Sequence, residues 1–223
     1  MIELKNVSKY FHTNQGKKYI LNNVTMTIPS GTNIGILGRN GAGKSTIMRM
    51  LGHIEFPNEG SITSTHTFSW PLGLGGGFVA NMTGRANVKF VSRLYGRTPQ
   101  QIEEIISYVK SFSELGDYFD MPIRTYSAGM RGRLSFGLSL AFDFDYMLID
   151  ETLSVGDARF KKKAEEYLMK KIETCNILLV SHAMPTLRKL CDAGIVVNQG
   201  QIEYYNDIND AIAKYEEINK KAG

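Results

Sequence analysis

Apolar and polar positions alternate from Ile2 to Val7, and Tyr19 to Ile28 is rich in β-branched and apolar residues, so the chain is predicted to open as an antiparallel β layer. Pro29-Ser30-Gly31 then turns into Thr32 to Leu37, a run apolar enough for a buried strand. Ser45 to Leu51 has helical spacing, and Gly60 to Trp70 returns to short strands. Between Leu72 and Leu140 the character changes: after Gly75-Gly76-Gly77, apolar residues recur at helical intervals over Gly84 to Tyr95 and Gln100 to Phe112. From Tyr146 onward, apolar strands (Tyr146 to Asp150, Ile177 to Ser181, Ile195 to Asn198) alternate with helical segments (Arg159 to Lys171, Met184 to Leu190, Ile208 to Ile218), as in a parallel sheet covered on both faces. The pattern predicts one α/β domain over 1–223, with 1–71 and 141–223 forming a core plus antiparallel layer and 72–140 a helical insertion.

Composition narrows the class without changing that picture. The chain has 223 residues and is 43% hydrophobic, which excludes disorder as the default. No apolar run approaches the roughly 20 residues that cross a bilayer, and Met1-Ile2-Glu3-Leu4-Lys5 alternates where a signal peptide would be apolar, so a cytoplasmic location is expected. The net charge of +4 is small and dispersed. Lys161-Lys162-Lys163 and Lys170-Lys171 share a predicted helix with Glu165 and Glu166 and read as a solvated face, so no nucleic-acid partner is expected. Cys175 and Cys191 lack metal-ligand spacing and read as buried small hydrophobes.

The chemistry is concentrated in a few places. Gly38-Arg39-Asn40-Gly41-Ala42-Gly43-Lys44-Ser45 matches a phosphate-binding loop, between a predicted strand and a predicted helix. Its glycines let backbone N–H groups wrap phosphates, Lys44 would reach the β and γ phosphates, and Ser45 could ligate Mg²⁺. Tyr146 to Glu151 ends in two carboxylates; alone that is an ordinary strand terminus, but beside a phosphate loop Asp150 suits a metal and Glu151 a general base. Ser127-Ala128-Gly129 precedes a helical segment whose first turn carries Arg131 and Arg133, cations that oppose the helix dipole and suggest a nearby anion. His182 lies at a predicted strand end, where ligands gather in parallel sheets, although a lone histidine is more often structural.

Together these pieces resemble the ATP-binding subunit of ABC transporters, in the family's order and across nearly the whole chain. Gly38 to Thr46 resembles the Walker A loop, Thr125 to Met130 the signature, Tyr146 to Glu151 the Walker B segment, Ser154 to Asp157 the D-loop and His182 the switch histidine. The resemblance implies a P-loop (RecA-like) core that binds ATP and Mg²⁺. It implies Glu151 and His182 as catalytic residues and Ser45 and Asp150 as metal partners. Gly38, Asn40, Gly41, Ala42, Gly43, Lys44, Ser45, Thr46, Ser127 and Gly129 would hold nucleotide. An N-terminal aromatic is expected to stack on adenine: Phe11 by motif position, with Tyr10 and Tyr19 beside it and a core role for Phe11 left open.

The Tyr-Ser-Ala-Gly-Met signature, the stretch from Trp70 to Phe78, and Met82-Thr83-Gly84-Arg85-Ala86-Asn87 narrow the resemblance to the ATPase subunits of capsular polysaccharide exporters. Two departures stand out. Met130 occupies a signature position where many relatives have Gln, and no glutamine appears near Leu72, where a Q-loop would supply one. The family further implies a head-to-tail pair of subunits enclosing two ATP. It also implies a separate integral membrane permease, gripped near Phe78, Val79 and Met82, and a peripheral place on the cytoplasmic face of the inner membrane. Residues 219–223 are too short a tail for a glycan-binding module, so no direct glycan contact is expected. The alternatives are an O-antigen or teichoic-acid exporter ATPase, a soluble ABC-type ATPase acting on ribosomes or DNA, and a nucleotide-dependent module without turnover, which Glu151 disfavours.

Overall fold

The computed structural model describes residues 1–14, 16–72, 78–150 and 157–221. They fall into two compact units. The first comprises Met1–Pro71, Phe144–Glu151 and Cys175–Gly223; the second comprises Leu72–Asp143 and Thr152–Thr174.

The first unit carries two sheets. In the smaller, β1 (Ile2–Thr13) lies between β2 (Gly16–Ile28) and β4 (Glu59–Ser64), antiparallel to both. Ile2 and Leu4 are buried along its inner face, as the alternation predicts, and Val7 is buried only beyond a register shift at Asn6, whose φ is 49°. The larger sheet has the order β5-β6-β3-β7-β8, from β3 (Ile34–Gly38), β5 (Tyr146–Asp150), β6 (Asn176–Val180), β7 (Ala193–Asn198) and β8 (Gln201–Tyr205). β3 pairs in parallel with β6 and β7 and is buried throughout, which explains its unbroken apolar run. Three helices complete this unit: α1 (Lys44–Leu51), α6 (Met184–Leu190) and α7 (Ile208–Lys221).

The edge strand β8 departs from the predicted all-parallel pattern, because it pairs antiparallel with β7. Gln199 and Gly200 both have positive φ, 48° and 80°, so a two-residue turn returns the chain along its own edge without a crossover helix.

The second unit is helical, with α2 (Gly84–Leu94), α3 (Pro99–Ser113), α4 (Ala128–Leu140) and α5 (Ala158–Lys171). Thr98 and Gln101 form a capping box at the start of α3, with Pro99 in its first turn. The expected boundary at 140 differs from this division, because α5 belongs with the helices and not with the core. The Phe160 ring meets the Phe112 ring edge-on at 5.5 Å, and Lys163 donates to the Phe112 carbonyl and to Glu114. Ala164 and Leu168 extend the same buried stripe. Lys161, Lys162 and Lys170 are exposed as predicted, whereas Lys163 and Lys171 are half-buried, Lys171 pairing with Asp143. Cys191 is buried, its thiol pushed up to about 12 mainly by burial, while Cys175 is only half-buried. No helix among the described residues is long and apolar enough to cross a membrane.

Candidate functional site

The loop after β3 is shaped by close packing. A Cβ on Gly38 would stand 2.8 Å from the Val197 carbonyl oxygen, so β3 can end beside β7 only with glycine there. Gly43 caps α1 with φ 100° and ψ 14°, a left-handed conformation that turns the chain into the helix, and a Cβ there would meet Ile20 Cγ2 at 2.2 Å. With no side-chain acceptor at this cap, the first amides of α1 keep their donors for a ligand.

Lys44 opens α1 and is buried, donating to the carbonyls of Gly38 (2.8 Å) and Arg39 (3.3 Å). The carbonyls hold its ammonium inside the curve of the loop. Burial lowers its pKa, and the nearby Asp150 carboxylate opposes that shift. Such a cation would gain from a second anionic partner, and Lys44 lines a cavity open to one.

Phe11, Lys18, Ile20, Asn40, Gly41, Gly43, Lys44, Ser45, Thr46, Asp150, Val180 and His182 surround one open cavity of about 630 Å³. The strand-end placement of Asp150 on β5 and of His182 just beyond β6 therefore brings both to the phosphate loop. Gly38 and Ala42 shape the loop from behind without lining the cavity. Phe11 is 44% exposed there, which separates it from a core role. Tyr10 and Tyr19 pair across the strands at 5.3 Å, do not line the cavity, and carry Lys17 over the Tyr10 ring. Strand alternation puts Tyr10 on the side of β1 opposite Phe11. Lys18, Ile20 and Val180 are lining residues that motif reading missed; only the β1–β2 register, which pairs Phe11 with Lys18, could have found the first.

The donor set suits a hard cation. No group of three or more His, Cys, Asp or Glu among the described residues could hold a metal ion, so a transition-metal cage has no support there. A hydroxyl and one carboxylate beside a phosphate loop fit Mg²⁺, which takes few protein oxygens and completes its shell with water and substrate phosphate.

Ser127 and Gly129 are in the second unit and line a different cavity of about 390 Å³ with Glu114, Leu115, Tyr118, Met130 and Arg133. Ser127 caps α4, its hydroxyl accepting from the Met130 amide at 3.2 Å. The cations expected to await an external anion have partners within the chain: Arg133 donates to Asp157 at 2.8 Å, and Arg131 to the Tyr126 carbonyl at 2.8 Å. Asp157, the last residue of the D-loop-like segment, also caps α5. Glu151, Ser154, Val155 and Gly156 lie outside the described residues, as do 73–77.

The family profile described as ABC transporter matches residues 21–154. The polysialic acid transport ATP-binding protein KpsT of Escherichia coli is 49% identical over 216 residues, covering 96% of this chain and 98% of its own. The capsule polysaccharide export ATP-binding protein CtrD of Neisseria meningitidis serogroup B is 39% identical over 218 residues, covering 98% and 100%. Among solved structures, the ATP-binding cassette MJ0796, dimeric in a post-hydrolysis state with ADP and Pi, superposes with a TM-score of 0.74 at 20% identity, covering 93% of this chain and 99% of that one. That likeness speaks for the fold.

Proposed function

This chain belongs to the ABC transporter family as an ATP-binding ATPase subunit, and from that premise we propose that it powers export of a capsular or related surface polysaccharide across the inner membrane. The observation that carries the reading is the gathering of Phe11, the loop from Asn40 to Thr46, Asp150 and His182 around one cavity. An adenine stacked on Phe11 would leave the β and γ phosphates to the loop amides and Lys44. Ser45 and Asp150 would hold Mg²⁺, which would supply charge neutralisation at the phosphates. Glu151, the next residue after Asp150, removes the proton from the attacking water, and His182 contacts the γ-phosphate from the end of β6.

Two copies close head to tail, so that Ser127 and Gly129 of one copy face the ATP held by the other. The exposed helix start that they form, with its own cavity, supports this role. A separate integral membrane permease takes up the closing motion and keeps the subunit peripheral on the cytoplasmic face. Among described residues that could meet it, Val79 is 44% exposed and Phe78 and Met82 half-buried. Selection of the glycan then belongs to the permease, without direct contact from this chain and without nucleic acid.

The test has two arms. Purified protein should hydrolyse ATP with Mg²⁺, Lys44→Ala should abolish nucleotide binding, and Glu151→Gln should form an ATP-dependent dimer on size exclusion. In cells, loss of the gene should leave surface polysaccharide trapped inside, and Lys44→Ala should fail to restore it. Normal surface polysaccharide in the deletion strain would defeat the export reading while leaving the ATPase intact.

A further inference from the structure

Two adjacent lysines on β2 have opposite fates. Lys17 stands over the Tyr10 ring, 3.9 Å from its centroid, and a side-chain hydrogen bond with Tyr10 raises its pKa. The Lys18 side chain makes no hydrogen bond, ion pair or ring contact among the described residues, yet it lines the nucleotide cavity. Strand alternation explains the split, since successive side chains face opposite sides of the sheet.

The register fixes where along the cavity Lys18 stands. It is directly across from Phe11 on the antiparallel neighbour, so the two side chains rise from the same face. Two residues further along β2, about 7 Å away at strand rise, Ile20 packs against Gly43 at the entry to α1. Lys18 therefore lies at the aromatic end of the cavity, two residues along β2 from the contact with the phosphate loop. Its four-carbon stem can bridge part of that gap, and its ammonium can only donate. Between a base on Phe11 and β and γ phosphates on the loop, the anionic acceptor left for such a donor is the α-phosphate.

We propose that Lys18 is a nucleotide-binding residue whose ammonium holds the α-phosphate, tying the base end of the site to the phosphate loop. This rests on the ATP-binding reading of the cavity. Lys44 and the loop amides serve the β and γ phosphates, so the charge at the α position is otherwise left to solvent and the first turn of α1. The contact makes affinity depend on the one phosphate that ATP, ADP and AMP all share.

Competition against a fluorescent ATP analogue, with ATP, ADP, AMP and adenosine as competitors, tests the assignment. Lys18→Gln should weaken ATP, ADP and AMP by a similar factor of about 10, the size of a charge-assisted hydrogen bond, and leave adenosine unchanged. A loss for ATP and ADP that spares AMP would place the contact at the β-phosphate and overturn the inference. Lys18→Arg should restore most of the loss. Lys18 is exposed, so neither change endangers folding. Unchanged ATP affinity in Lys18→Gln would overturn the inference, as would a loss confined to ATP, which places the contact at the γ-phosphate. An equal loss for adenosine would place it at the base or ribose and overturn it too. If the wild-type protein binds neither ATP nor ADP, the nucleotide reading itself falls and takes this inference with it.

Discussion

Gly43→Ala tests the claim that the phosphate loop is held in shape by contact with β2. The new methyl would sit 2.2 Å from Ile20 Cγ2, 3.3 Å from Cδ1 and 3.4 Å from Cβ. Carbon atoms rest at about 3.5–4.0 Å, so the loop or the side chain must retreat by more than an ångström. Overpacking of that kind costs about 1–3 kcal/mol, and a non-glycine residue at φ 100° adds about 1–3 kcal/mol of backbone strain. The sum, about 2–6 kcal/mol, corresponds to a melting temperature lower by roughly 5–20 °C for a chain of this size. Urea unfolding of wild type, Gly43→Ala, Ile20→Ala and the double variant separates the two parts. Truncating Ile20 removes the methyl that is struck, so the cycle should show about 1–3 kcal/mol of coupling, with the remaining strain persisting in the double variant. Strict additivity would refute the contact with Ile20, and wild-type stability in Gly43→Ala would refute the whole argument. ATP affinity should fall in Gly43→Ala and recover only in part in the double variant, because the left-handed cap stays strained.

Phe11→Ala should weaken ATP and adenosine alike, by about 10- to 100-fold if base stacking contributes its usual 1–3 kcal/mol, as read by the same competition assay. Asn87 is fully buried, accepting from the Val79 amide and donating to the carbonyls of Val79, Met82 and Thr83. Asn87→Ala should therefore cost about 2–3 kcal/mol through unpaired buried groups and speed amide exchange over residues 79–83. Hydrogen bonds from the Thr67 amide and hydroxyl hold the Asp145 carboxyl below its ordinary value, helped by His66. A depressed carboxylate stabilises the fold above its unfolded pKa of about 3.9, and the gain is lost as pH falls through the lower folded value. Acid unfolding followed between pH 5 and 2 should show this loss in wild type and a flatter profile in Asp145→Asn.

Much of the architecture was legible because each element is written in its local pattern. β5 and α6 are found where the apolar runs predict them, Tyr146–Asp150 and Met184–Leu190, since a short buried strand and a proline-started helix leave clear signatures at both ends. The phosphate loop was legible for the same reason: its glycines, Lys44 and Ser45 are consecutive. Helix α4 is less legible, because Leu134, Ser135, Phe136, Gly137, Leu138 and Ser139 are all buried and leave no polar face to set a period. Strand β8 escaped because its pairing rests on two positive φ angles that Gln199-Gly200 signals weakly. What tertiary structure alone decided is which distant segments share a neighbourhood. It placed α5 with the helices through Phe160 and Phe112, answered Arg133 with Asp157, and left Cys175 half-buried. It also turned Phe11 and Lys18 together into the cavity while Tyr10 and Tyr19 went to the other side. Hydrophobic periodicity reports which face of an element is buried. Partner and register are set by pairings across many residues of chain, and those reside in no single stretch of sequence.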